Sequence, residues 1–225
     1  GMLNNPLAEP YLLGISSGAA LGSIIAIVLN EIFLMPIFGF LGALLTTILV
    51  WKLAQKEKLV QRTQLILAGI IISLFFSAII ALLMSIFQRE LGQIFSVLMG
   101  NLGYVFSKKS IHILWLMGVI SIVGVILLNF FANRINILSL GDYTADSLGV
   151  DVQKTRRILF VLSSLLVGMV VSFTGIIGFV GLIIPHIGRI LIGPDNRYLL
   201  PLSGILGAGF LVFCDTIARS ILVIE

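Results

Sequence analysis

Ile158-Leu-Phe-Val-Leu-Ser-Ser-Leu-Leu-Val-Gly-Met-Val-Val-Ser-Phe-Thr-Gly-Ile-Ile-Gly-Phe-Val-Gly-Leu-Ile-Ile-Pro-His-Ile-Gly188 contains no Asp, Glu, Lys or Arg. A helix crossing the hydrocarbon core of a bilayer needs roughly 20 apolar residues, so this run is long for one pass and short for two. Flanking charge decides. As a single pass it would separate Arg156 and Arg157 from Arg189 and Arg197; as a hairpin turning near Gly175–Gly178 it keeps all four together. Further uncharged runs at 10–30, 32–51, 63–88, 110–133 and 198–214 each read as one span. With the hairpin, Lys52, Lys56, Lys58, Arg62, Arg134, Lys154, Arg156, Arg157, Arg189 and Arg197 share one side, leaving Arg89, Lys108, Lys109 and Arg219 on the other. That asymmetry is what the positive-inside rule requires. It predicts seven spans, with residue 1 and the basic loops on the cytoplasmic side.

The composition agrees. Hydrophobic residues make up 59% of the 225 and charged residues 11%, with a mean hydropathy of +1.16. A soluble domain runs about 45–50% apolar and about 25% charged and could not cover so much apolar surface. Disorder, collagen and coiled coil are excluded by the same figures. Cys214, the one cysteine, can form no internal disulfide and gives too few ligands for a structural metal site. The net charge of +4 and pI near 9.5 follow from membrane topology rather than from a nucleic-acid partner.

Within this frame, Leu91, Ile94, Phe95, Leu98 and Met99 fall at helical spacing before Gly100 and Gly103. They predict a short external amphipathic helix over 90–103, either packed on the bundle as an ordinary loop helix or acting as a gate. Gly14, Gly18 and Gly22 form a small-residue stripe, as do Gly204 and Ala208 beside Gly207; such stripes let membrane helices approach closely. Gly175, Gly178, Gly181 and Pro185 predict broken backbone, tolerated at membrane depth only where protein or a water-filled cavity covers it. His186 and Arg189 follow on one helix face. The segment is either a plain hairpin turn or part of a transport pathway. Asp215 and Arg219, four apart near the outer end of the last span, can partly neutralise one another, as a structural pair or within the pathway.

The longest non-membrane stretch on the basic side is 133–157. Asp142 is placed to cap a short helix over 143–148. Gly149 is suited to the left-handed position after it, with Val150 as the apolar residue beyond, and Asp151 can cap the next span. So short a helix is unstable alone and must pack, either on its own bundle through Leu138, Leu140, Ala145, Leu148 and Val150 or on a cytoplasmic partner.

Four segments in order, Asn5-Pro-Leu-Ala-Glu-Pro-Tyr-Leu-Leu-Gly-Ile-Ser-Ser-Gly18, Gly141-Asp-Tyr-Thr-Ala-Asp-Ser-Leu-Gly-Val150, Ile177-Gly-Phe-Val-Gly-Leu-Ile-Ile-Pro-His186 and Asp215-Thr-Ile-Ala-Arg219, resemble the FecCD-type permeases of ABC importers for iron–siderophore complexes, haem and cobalamin. Met99-Gly100-Asn101-Leu102 is similar to that family's external helix ending. The resemblance implies an all-α membrane bundle of ten helices per subunit, pairing as a homodimer or with a homologous permease. It implies two cytoplasmic ATPase subunits below, an extracytoplasmic substrate-binding protein above, and a bacterial cytoplasmic membrane around it. No cofactor is implied. Gly141, Asp142, Ala145, Leu148, Gly149 and Val150 then correspond to the segment that couples to the ATPase. Residues 1–225 read as one partial permease domain, expected to lack the first two helices and the last. Ile176 stands where the family usually has proline. The chain carries no Walker-type phosphate loop, so ATP hydrolysis is expected elsewhere. The rivals are an ion-coupled secondary transporter, which needs intramembrane ionisable groups and usually two related halves, and a membrane scaffold.

Overall fold

The computed structural model describes residues 13–56, 59–100 and 111–222. The chain runs α1 (Ile15–Val28), a 3-10 turn, α2 (Met35–Ala54), a hairpin of β1 (Gln55–Lys56) and β2 (Leu59–Val60), then α3 (Arg62–Ile86) and a second 3-10 turn. After these come α4 (Leu91–Met99), α5 (Ile111–Phe130), α6 (Ala132–Ser139), α7 (Asp142–Ser147), α8 (Val152–Thr174), α9 (Val180–Ile192) and α10 (Asn196–Leu222). The strands pair antiparallel, Gln55 with Val60 and Lys56 with Leu59. All of Asn5-Pro-Leu-Ala-Glu-Pro10, together with Asn101, Leu102 and Gly103, lies outside the described residues.

The loops sort to two ends of the bundle. At the basic end, Val60 N–H donates to Gln153 Oε1 at 3.1 Å, and Asn136 Nδ2 donates to Asp195 Oδ1 at 2.7 Å. These bonds draw together the β-hairpin, α6, the start of α8 and the loop before α10. At the opposite end, Ile176 N–H donates to the Val97 carbonyl at 3.1 Å, joining α4 to the break between α8 and α9.

By length and apolar content, four helices can cross a bilayer: Ile32–Ala54, Thr63–Ile86, Val152–Thr174 and Asn196–Ser220. α5 and α6 form a fifth candidate, bent by 50° at its break. α1 and α9 have 14 and 13 residues, about 20 Å of helix against a hydrocarbon core of about 30 Å. The six runs, read as seven spans, thus resolve among the described residues into four full-length helices, one bent pair and two short helices, so up to five rather than seven are long and apolar enough to cross. α1 is short because it starts inside the bundle, with Gly14 against the Gly69 carbonyl and Thr46. α9 is short because the break before it consumes residues 175–179.

Buried contact between α1 and α2 rests on small residues. A Cβ at Gly18 would collide with the Thr46 hydroxyl and lie 2.9 Å from the Gly42 carbonyl oxygen; one at Gly22 would collide with the Phe38 carbonyl. Lipid supplies no hydrophobic drive between helices, so dispersion across this close approach holds the pair. The second stripe behaves otherwise: Gly204 has open space at its Cβ position, and Gly204 and Ala208 are exposed. Several polar side chains in the spans turn back on their own helices, Thr46 Oγ1 donating to the Gly42 carbonyl and Ser164 Oγ to that of Phe160, which satisfies those hydroxyls without water.

α4 carries the predicted apolar spacing but ends at Met99. Ile94 and Val97 are buried in a cluster with Ala20, Ile24 and Ile27 of α1, so the helix packs on the bundle. The break in the hairpin is also narrower than the glycine spacing predicts. Gly175 (φ +70°) and Phe179 (φ +65°) bound it, whereas Gly181, Pro185, His186 and Arg189 lie on the continuous α9.

Candidate functional site

The described residues of 133–157 hold two helices where the sequence pattern predicts one. α6 buries Ile135 and Leu138 in a cluster with Ala145 and Leu159. α7 closes as predicted from Gly149: with φ +79°, its N–H donates to the Asp146 carbonyl at 2.9 Å, and Val150 N–H donates to that of Ala145 at 3.0 Å. This 6→1, 5→2 pair, with Val150 packed near Ala145, is the Schellman arrangement. Asp151 caps α8 through Lys154 N–H at 2.9 Å.

Asp142 does something else. It occupies the first turn of α7, and Gly141 holds the cap position. Both Asp142 carboxylate oxygens accept from Arg156 Nη2 at 2.8 Å, while Arg156 Nη1 donates to the Val60 carbonyl at 2.8 Å. Arg156 is 1% exposed and the Asp142 side chain 47%. One buried guanidinium therefore fastens α7, α8 and the β-hairpin together. A six-residue helix cannot hold its own shape in water; this ion pair and the Ala145 contact hold it. Arg156 had entered the sequence reading only as a topology charge, since nothing local marks a partner 96 residues away.

The strap sorts the predicted coupling residues. Ala145 is buried, and Asp142 and Val150 face their own bundle. Leu148 is 59% exposed, flanked by Tyr143 at 88% and Leu140 at 64%. The outward apolar face is thus Leu140, Tyr143 and Leu148. A second clamp lies beside it. Asn136 Oδ1 accepts from Asn196 N–H at 2.9 Å and from Asn196 Nδ2 at 2.6 Å, while Arg197 Nη2 reaches Asp195 at 2.6 Å. Hydrogen bonds from the Arg197 side chain and backbone and from Asn136 hold the Asp195 carboxyl well below the usual carboxylate range.

At the opposite end, Asp215 and Arg219 pair at 2.7 Å. They share a cleft of about 640 Å³ with Gly100, Gly178, Phe210 and Cys214. The structure thus brings together two groups of residues singled out separately, the hairpin and the ion pair. Gly175 faces a second cavity of about 310 Å³ beneath α4. Gly181, Pro185, His186 and Arg189 line neither; Arg189 sits in the last turn of α9, and His186 is exposed. Among the described residues no cluster of His, Cys, Asp and Glu could hold a metal ion.

Apolar helices spanning a bilayer, with a short helix strapped to their basic end and broken backbone at the other, define a polytopic transport-type membrane protein. Comparison narrows the class: the chain belongs to the FecCD transport family, whose model matches residues 1–225. It is a multi-pass chain of the cytoplasmic membrane. It is 36% identical over 222 residues to a cobalamin import system permease protein, BtuC, of Halobacterium salinarum, covering 98% of this chain and 59% of that protein. It is 36% identical over 229 residues to the hemin transport system permease protein HmuU of Yersinia pestis, covering 98% and 67%. A solved structure of the metal-chelate type of ABC transporter, in an inward-facing conformation, superposes with a TM-score of 0.86 at 33% identity, covering 98% of this chain and 70% of that one. The chain spans about three fifths to two thirds of the length of the curated relatives it matches.

Proposed function

We propose that this chain forms part of the membrane permease of an ABC importer, which moves an iron chelate (a siderophore complex or haem) or cobalamin inward using ATP hydrolysed by a separate subunit. The observation that carries this reading is α7: a helix too short to stand alone, fastened from beneath by a buried arginine, presenting Leu140, Tyr143 and Leu148 outward. An exposed tyrosine on a cytoplasmic projection is an anchor type that partner grooves accept, and the two exposed leucines beside it add apolar area for burial against a partner. The partner that the family resemblance supports for this face is an ATPase subunit. Two such permeases pair about the pathway, two ATPases dock at the basic end, and a binding protein delivers cargo at the opposite end, beside the cleft containing Gly178, Asp215 and Arg219. ATPase closure then pushes α7, and the Arg156 strap passes the movement to α8 and the β-hairpin. His186, Arg189, Gly181 and Pro185 on α9 are candidates for the wall of that pathway.

Cobalamin and hemin are cargo of similar relatives, so large chelates are the class proposed. The test is co-purification of the full-length parent protein with ATPase subunits from its own genome. Recovery that disappears in Leu148→Asp while the permease still inserts supports the reading. A folded permease that recovers no ATPase refutes it.

A further inference from the structure

A third cavity, of about 490 Å³, opens at the basic end between α2 and α8. Its cationic lining is Lys52 from α2 with Lys154 and Arg157 from α8. Lys154, Arg157 and Val161 fall at i, i+3 and i+7, and Ile48, Lys52 and Gln55 at i, i+4 and i+7, so two helix stripes face each other across it. Among the described residues no acidic side chain lines the cavity. Asp151 is occupied with the Lys154 backbone, and Asp142 belongs to the Arg156 strap. Among the described residues none of the three cations has an ion-pair partner. The cavity wall is fixed independently, because Gln153 and Arg156 both hydrogen-bond Val60.

We propose that this cavity binds the phosphodiester headgroup of an anionic phospholipid from the cytoplasmic leaflet. Three unpaired cations converging on one space repel one another, and an anion between them relieves that repulsion. Place in the fold favours a lipid as the source. The cations stand on the last turn of one spanning helix and the first turns of another, the level of the headgroups, with Trp51 in the lining as an amphipathic interfacial ring. One turn deeper, Ile48 and Val161 carry the lining into exposed apolar surface, continued by Leu45 and Leu49 on α2. The cavity is thus polar where a phosphate would lie and apolar where acyl chains would follow. Basic pockets between membrane helices on the cytoplasmic side suit this chemistry. Nothing here depends on the cargo or on ATPase docking.

The test uses the full-length parent protein, delipidated in detergent and followed by native mass spectrometry. It is titrated with phosphatidylglycerol, with phosphatidylcholine of the same chains, and with glycerol phosphate. Preferential retention of one phosphatidylglycerol per chain is expected, with about fivefold loss for each of Lys52→Gln, Lys154→Gln and Arg157→Gln, from an attraction of roughly 1 kcal/mol per cation. Arg134→Gln, at the same end but outside the cavity, leaves retention unchanged. Equal retention of both lipids, or retention indifferent to all three substitutions, overturns the proposal. Glycerol phosphate binding as tightly as the lipid also overturns it, in favour of a free-anion site. Loss of ATPase recovery in these variants with unchanged lipid retention overturns it in favour of a protein-docking surface. If a combined variant fails to fold, the single substitutions at exposed lysines decide.

Discussion

Removing the exposed partner of the Arg156–Asp142 pair should cost more than removing the buried one. In Asp142→Ala, the Arg156 guanidinium stays 1% exposed and loses its counter-ion, keeping one bond to the Val60 carbonyl. An uncompensated buried charge of this kind costs roughly 3–5 kcal/mol. In Arg156→Met, the apolar stem still fills its place, the Asp142 carboxylate is already half-exposed to water, and the Val60 carbonyl loses a donor, at roughly 1–3 kcal/mol. The double variant should be less damaged than Asp142→Ala alone, because with the guanidinium gone no buried cation is left uncompensated. The assay is unfolding of the full-length parent in mixed micelles titrated with SDS, run as a double-mutant cycle. If Arg156→Met is as damaging as Asp142→Ala, or the double variant is worse than either single one, the guanidinium is not a buried charge dependent on Asp142, and the strap fails as an explanation of how α7 is held.

Other consequences can be checked directly. Leu148→Asp and Tyr143→Ala should separate ATP hydrolysis from uptake in reconstituted vesicles without changing thermal stability, because both side chains point away from the bundle. Gly18→Ala should lower stability by roughly 1–3 kcal/mol through overpacking against Thr46 and Gly42, whereas Gly204→Ala, with open space at its Cβ, should be close to neutral by the same unfolding assay. Gly175→Ala should loosen α4, since a Cβ there meets the Val97 carbonyl in a left-handed backbone; faster amide exchange over 94–99 would show it. The Asp195 clamp should be insensitive to pH between about 5 and 8. A carboxyl held below its ordinary range contributes stability that is complete above the unfolded value near 3.9 and is lost only as pH falls through the lower folded one. A transition at the 193–197 loop between pH 5 and 8, followed by NMR, would contradict that bonding.

Much of the architecture was legible because lipid makes local composition decisive. Uncharged runs mark helices, and charge at their ends orders the loops. The Schellman turn at Gly149 and the Asp151 cap were equally readable, each depending on residues within one turn. What failed did so for one reason. Asp142 has the composition of a cap, and only a guanidinium fourteen residues on, itself buried by the β-hairpin, redirects it. The Asn136–Asp195 clamp spans 59 positions, and Gly178 meets Asp215 and Arg219 only through the packing of α10. Small-residue stripes show the same limit. Gly18 and Gly204 look alike in sequence, yet one stripe meets a facing helix and the other does not.

The basic residues themselves carry the last step. Counting them by side of the membrane treats Arg156 and Arg157 as equivalent, yet they stand about 100° apart on α8 and meet opposite environments. Arg156 points inward, is held through its two terminal nitrogens by Asp142 and Val60, and serves rigidity. Arg157 points into an open cavity with Lys52 and Lys154, has no ion-pair partner among the described residues, and serves recognition. Charge count fixes which way the chain sits in the membrane; burial decides what each charge does once it is there. Neutralising Arg156 should therefore destabilise the fold, with effects on lipid retention only as a consequence. Neutralising Arg157 should change retention at constant stability. Measuring both quantities on both variants distinguishes the two roles, and coincident losses would show that the cavity and the strap are a single structural unit.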